Sequence, residues 1–101
     1  KRCEASTPLG LFEGTWRPAS FSHLASSGYA AGYYGYMWSE VIGLDLLSPF
    51  EKDMLDPAVG ARFRDTILAQ GGQDEEMNLV RNFLGRDPSS EAFFAHITGR
   101  K

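Results

Sequence analysis

The sequence has a single cysteine, Cys3, among its 101 residues. One thiol cannot build an internal disulfide framework or a multi-cysteine metal site, and it fits a reducing compartment, so a cytoplasmic location is expected. Long apolar runs are also missing. The best, Val41 to Leu47, is interrupted by Asp45 and falls far short of the ~20 residues that span a bilayer, so no membrane partner is expected. Positive charge is not in excess: the net charge is −3, which argues against a nucleic-acid surface. No segment alternates apolar and polar residues as a half-buried strand would, and there is no internal repeat or low-complexity tract. The glycines never form G-x-x-x-x-G-K-[ST], so a phosphate-binding loop is not supported.

What is present is helical periodicity. A chain of this length makes one domain at most and buries roughly 60–70% of its unfolded surface, enough for a modest core. Residues 1–19 carry Pro8, Gly10, Gly14 and Pro18 with scattered apolar side chains, and read as an extended or looped segment. Residues 20–101 read as helices. A main helix is expected over about Tyr29 to Leu47, apolar around most of its circumference and so centrally buried, with Pro49 ending it. Asp56-Pro57 has the form of an N-cap followed by proline at the first helical position, and Val59, Phe63 and Ile67 give that second helix an apolar face up to Gly71-Gly72. Asp74 is placed to cap a third helix with Met77, Val80, Phe83 and Leu84 on one face and Gly85 at its end. Asp87-Pro88 repeats the start signal for a short last helix before Gly99. The expectation is an all-α fold, a small helical array.

The stretch from Phe21 to Val41 stands apart. It holds His23, a Ser/Gly-rich loop and four tyrosines. On a continuous helix Tyr29, Tyr33 and Tyr36 fall at i, i+4 and i+7 and share one face, while Tyr34 points elsewhere and would serve packing. Gly28, Gly32, Gly35, Ser39 and Gly43 form a stripe of small residues beside them. Each interior helix glycine costs roughly 1 kcal/mol relative to alanine, so the stripe implies close approach by a neighbouring backbone or an extended ligand. Tyrosines at this spacing serve packing more often than chemistry, and His23 alone reads as a loop histidine; His96 reads as a surface histidine on the last helix.

Several motifs then occur in fixed order: Phe21, His23-Leu24, Gly28-Tyr29, Tyr33-Tyr34-Gly35-Tyr36, Trp38-Ser39-Glu40-Val41, Phe63-Arg64-Asp65, Ile67-Leu68, Gly71-Gly72 and Phe83-Leu84-Gly85-Arg86-Asp87-Pro88. Together they resemble the C-terminal segment of the thimet oligopeptidase family of zinc metallopeptidases, which includes oligopeptidase A and the bacterial peptidyl-dipeptidase. The resemblance covers about Trp16 to Phe94. It implies a single C-terminal fragment, residues 1–101, of a larger helical zincin-type catalytic domain, which would need its N-terminal body and would self-associate without it. The zinc signature H-E-x-x-H is absent, so this chain is expected to bind no catalytic zinc and to be inactive alone; the family's zinc would belong to the full-length enzyme.

By the same resemblance this segment forms the cleft wall opposite the metal and binds short peptides. Tyr36 is then the leading oxyanion donor and, with His23, the catalytic assignment, while Tyr29, Tyr33 and Gly28 contact substrate; His23 and Tyr29 orient the peptide backbone. A phenol suits an oxyanion donor because it is neutral at pH 7 and can strengthen its hydrogen bond as charge develops. Two other readings stay open: a stand-alone helical interaction module whose aromatic and glycine stripe is a partner or self-association surface, and a degenerate, inactive family member.

Overall fold

The computed structural model describes residues 6–10, 12–25 and 28–100; Cys3 and the two loop serines Ser26 and Ser27 lie outside them. The chain divides into two compact units, Lys1–Tyr33 and Tyr34–Lys101. All regular structure among the described residues is helical, and no helix there is long and apolar enough to cross a membrane.

In the first unit, turns are closed by Gly10 N–H to Thr7 O at 3.0 Å and by Thr15 N–H to Phe12 O at 3.3 Å. A 3-10 turn, Arg17–Ser20, leads into the single-turn helix α1, Ser22–Ala25, which carries His23. Residues 28–34 follow as turns, with Gly32 N–H donating to Tyr29 O at 3.0 Å.

The main helix α2 is shorter than its periodicity suggests. It runs Gly35–Leu47, not from Tyr29, so the continuous tyrosine face does not form. The glycines explain the late start: Gly28 and Gly32 would each cost roughly 1 kcal/mol in a helix, and tight i to i+3 turns accommodate them without that loss. Nor do Gly28, Gly32, Gly35 and Gly43 mark close packing here, since a Cβ built at any of them meets open space. Tyr34, expected to pack, is exposed at the N-cap, and Met37 and Trp38 on the first turn are exposed too. The one buried residue of α2, Asp45, lies near its C-terminal end.

Downstream, Asp56 caps α3 (Pro57–Phe63), accepting from Ala58 N–H at 2.8 Å and Val59 N–H at 3.3 Å. The helix then widens into a π segment, Arg64–Leu68, closed by Ala69 N–H to Arg64 O at 2.8 Å. Thr66 Oγ1 donates to the Arg62 carbonyl at 2.8 Å and so competes for the acceptor an α-helix would offer its backbone N–H. Gly71, at φ +54°, turns the chain. Asp74 accepts from Glu75 N–H and Asn78 Nδ2 at the mouth of α4, Glu76–Leu84, which ends on left-handed Gly85 as expected. The last helix, α5 (Glu91–Thr98), begins later than Asp87-Pro88 suggests. The Asp87 carboxylate is taken by Arg81 Nε at 2.7 Å, and the Ser89 hydroxyl accepts from Glu91 N–H at 3.2 Å instead.

The second unit is organised around α4. Leu79, Val80 and Phe83 of α4 and Phe93 of α5 are buried. Phe83 is 1% exposed, with the Phe63 ring edge-on at 5.3 Å, Phe50 at 6.2 Å and the Arg62 guanidinium 5.0 Å over its face. The π segment packs on α4, and α2 packs on α5 and α4.

One polar residue sits inside this unit. Asp45, near the end of α2, is 2% exposed. Arg86, between α4 and α5, grips it through both carboxylate oxygens, Nη2 to Oδ1 at 2.6 Å and Nη1 to Oδ2 at 2.8 Å. Ser89 N–H donates to Oδ2 at 2.7 Å. Arg86 also donates to Asp87 O at 2.9 Å and Ser48 Oγ at 3.3 Å, and Ser48 Oγ donates to the Asp45 carbonyl at 2.7 Å. The Arg86 hydrogen bonds outweigh burial and hold the Asp45 carboxyl below the usual carboxylate range; Asp45 in turn raises Arg86.

Two outcomes follow for stability. Phe83→Ala removes the centre of the ring cluster and lowers the unfolding free energy of the chain by about 3 kcal/mol in urea titration. Leu55→Ser, at a position 88% exposed, shifts it by less than about 0.5 kcal/mol. The second concerns pH. A folded-state value below the unfolded one makes Asp45 stabilising above the unfolded value near 4, and that contribution is lost as pH falls through the folded value. The gap in melting temperature between the native chain and Asp45→Asn is therefore largest near pH 6 and shrinks below about pH 4; a gap constant over that range would exclude the ionised pair as its source.

Candidate functional site

The sequence singles out Gly28, His23, Tyr29, Tyr33 and Tyr36, and the structure gathers three of them. His23, on the single turn α1, lies with its ring 5.7 Å from Tyr29 and 5.6 Å from Tyr33, both edge-on. Phe21 completes the group, 4.7 Å from Tyr33 in a T-shaped contact and 5.9 Å from His23. Turns do this work where a helix face was expected. The i to i+3 turn at Tyr29 folds residues 29–33 back so that both tyrosines meet the same imidazole. The cluster is half open: Tyr29 is exposed, Tyr33 nearly half so, and Phe21 partly buried. It offers an imidazole and two phenols, all capable of hydrogen bonding to a peptide backbone, held by quadrupolar ring contacts of roughly 1 kcal/mol each. Gly28 begins this turn with open space around its Cα, leaving room for a backbone to approach.

Tyr36 belongs to the second unit, on the first turn of α2, and is 52% exposed. Glu40, one turn further, is exposed. His96 is on the exposed side of α5, as expected.

Two features escaped the sequence reading. Phe21 was visible only as part of a motif, yet it is the packing partner that fixes Tyr33 and His23; its spacing of two from His23 was the available signal. The Asp45–Arg86 pair is not visible in the sequence, because Asp45 reads as an interruption in an apolar run and Arg86 only as part of a motif. An open groove of about 410 Å³ borders that pair, lined by Ser48, Glu51, Asp87, Ser89 and Glu91 among others. None of Gly28, His23, Tyr29, Tyr33 and Tyr36 lines it.

No group of three His, Cys, Asp or Glu side chains suited to a metal ion occurs among the described residues, and H-E-x-x-H is absent from the whole sequence.

Comparison with known proteins gives a consistent picture. The chain is 46% identical over 80 residues to oligopeptidase A of Haemophilus influenzae, covering 78% of the chain and 12% of that protein. It is 43% identical over 79 residues to saccharolysin of Saccharomyces cerevisiae, covering 77% and 11%. A probable thimet oligopeptidase of Arabidopsis thaliana is 44% identical over 91 residues, covering 89% and 13%. The chain thus spans about an eighth of the length of the relatives it matches. The family model of Peptidase family M3 matches residues 4–99, and the chain belongs to that family of metallopeptidases.

Proposed function

We propose that this chain is the C-terminal, cleft-lining segment of a zinc-dependent oligopeptidase that hydrolyses short peptides. The family match over residues 4–99 carries this reading, because it includes His23, Tyr29, Tyr33 and Tyr36 and nearly every other residue of the chain. In this reading the zinc is held by residues outside the sequence, and the 101 residues alone cleave nothing. Their task is to bind and orient the peptide and to stabilise the charge that develops on its carbonyl oxygen.

The residue types suit that task. Tyr36 donates a hydrogen bond from a neutral phenol to the developing oxyanion, a contact that strengthens as charge builds. The imidazole of His23 and the phenol of Tyr29 hold the substrate backbone, with Tyr33 beside them and Gly28 giving the backbone room. Contacts to the backbone rather than to side chains admit varied sequences, which fits an oligopeptidase of broad specificity. Relatives named as cytosolic and as organellar oligopeptidases both occur, and we place this one in the cytoplasm.

The exposed apolar residues Met37, Trp38, Leu55, Phe94 and Ile97 support a body that covers them in the intact enzyme. They would also suit a stand-alone interaction module, and native mass separates the two. A mass several-fold above that of 101 residues supports the peptidase segment; a native protein of this length alone makes the exposed face a self-association surface.

In the intact enzyme, Tyr36→Phe lowers kcat by roughly 100- to 1000-fold with little change in KM. A variant with normal kcat and a raised KM would remove Tyr36 from the oxyanion role and leave it as a binding group.

A further inference from the structure

The helix that carries Tyr36 lacks the usual means of fixing its own rotation. An amphipathic helix is oriented by its apolar face, but α2 is apolar all round: Met37, Trp38, Val41, Ile42, Leu44, Leu46 and Leu47 are distributed over its circumference. Any of several faces could be buried with similar gain. Its only buried residue is Asp45, and that residue is held by three hydrogen bonds from outside the helix, two from the Arg86 fork and one from Ser89 N–H. A bidentate guanidinium–carboxylate pair is planar and directional, so it fixes both the rotation and the axial position of the residue it grips. A slide or roll of α2 would break the pair and strand a buried carboxylate.

Tyr36 precedes Asp45 by nine residues. Nine residues at 3.6 per turn are two and a half turns, so the two side chains leave opposite sides of the helix, about 13 Å apart along its axis. With Asp45 pinned inward, Tyr36 is turned outward, consistent with its 52% exposure. A roll of about 10° would move a hydroxyl about 8 Å from the axis by more than 1 Å. Displacements of that size cost on the order of 100-fold in rate when the group must meet a reacting atom.

We infer that Asp45 and Arg86 are positioning residues for Tyr36: the buried fork sets the rotation of α2 and thereby the place of the phenol in the cleft. This rests on the reading of Tyr36 as oxyanion donor.

The test is a double-mutant cycle in the intact enzyme, assayed with a quenched fluorescent peptide below the onset of melting for every variant, with zinc content measured for each. Arg86→Lys keeps the charge of a half-exposed side chain and removes the planar fork, so it is the variant of choice; Asp45→Asn is the stronger perturbation. Each is made alone and with Tyr36→Phe. Arg86→Lys alone is expected to lower kcat about tenfold with KM within about twofold, and to lower it less than twofold once Tyr36→Phe is present. That non-additivity is what action through Tyr36 requires and what a merely structural role would not give. Equal fractional losses in both backgrounds, or an Arg86→Lys enzyme with full kcat, overturn the inference. Full kcat in Tyr36→Phe alone is a separate result: it brings down the oxyanion reading itself, whatever the clamp variants do.

Discussion

The fork between Asp45 and Arg86 is the interaction on which the second unit depends. It joins α2 to the turn between α4 and α5, and Asp45 is the only buried polar residue among the described residues. Buried pairs of this kind are weak evidence for net stability, because desolvating two charges offsets much of their attraction. Here the balance is eased by satisfaction. Asp45 accepts from Arg86 at both oxygens and from Ser89 N–H, and no buried side-chain polar atom among the described residues lacks a partner. Arg86 keeps nearly half its side chain in water, so only one partner is fully desolvated. What the pair contributes most clearly is geometry, since apolar contacts alone would leave α2 several near-equivalent ways to dock.

The sequence showed what local chemistry dictates. Asp56-Pro57 starts a helix because the carboxylate satisfies two orphan N–H groups and proline needs none. Gly85 and Gly99 end helices because each adopts φ near +70°. The face of α4 was readable from Met77, Val80, Phe83 and Leu84, and Phe83 lies at its centre. Where two local signals competed, the reading failed. Around Tyr29, apolar spacing argued for helix and Gly28 and Gly32 argued against it; the glycines prevailed up to Gly35. At Asp87-Pro88 the capping signal was right in kind, but Arg81 had claimed the carboxylate, and the helix began at Glu91. The π segment after Phe63 turns on a threonine hydroxyl competing for a carbonyl, which no periodicity reports.

The candidate site was legible as residues and not as a shape. The tyrosines, His23 and Gly28 stood out because their types suit backbone recognition and because their order resembles a family's. Their supposed common helix face did not survive. His23, Tyr29 and Tyr33 come together through a tight turn and the Phe21 ring, contacts that depend on how the chain doubles back. The Asp45–Arg86 contact spans 41 residues, and a long-range contact between one acid and one base has no sequence signature when several of each are present.

The exposure pattern of α2 bears on function. A helix whose clamped end is buried and whose tyrosine-bearing end is open is poorly built as a folding element, since Met37 and Trp38 lose the burial their size would otherwise give. It is well built as a bracket. The clamped end supplies rigidity, the open end presents a neutral donor, and Gly35 beside Tyr36 leaves the approach free of a side chain. Preorganisation of a donor is useful in catalysis only when its support does not move as charge develops, and a bidentate ionic fork on a buried carboxylate is a directional support of that kind. A ring stacked into an apolar pocket would hold the same helix with comparable energy, yet it would tolerate the small rolls that move a hydroxyl out of reach. If Tyr36 is the oxyanion donor proposed above, a buried carboxylate at position 45, where leucine would satisfy the helix pattern, answers the demands of the phenol two and a half turns away rather than the needs of folding.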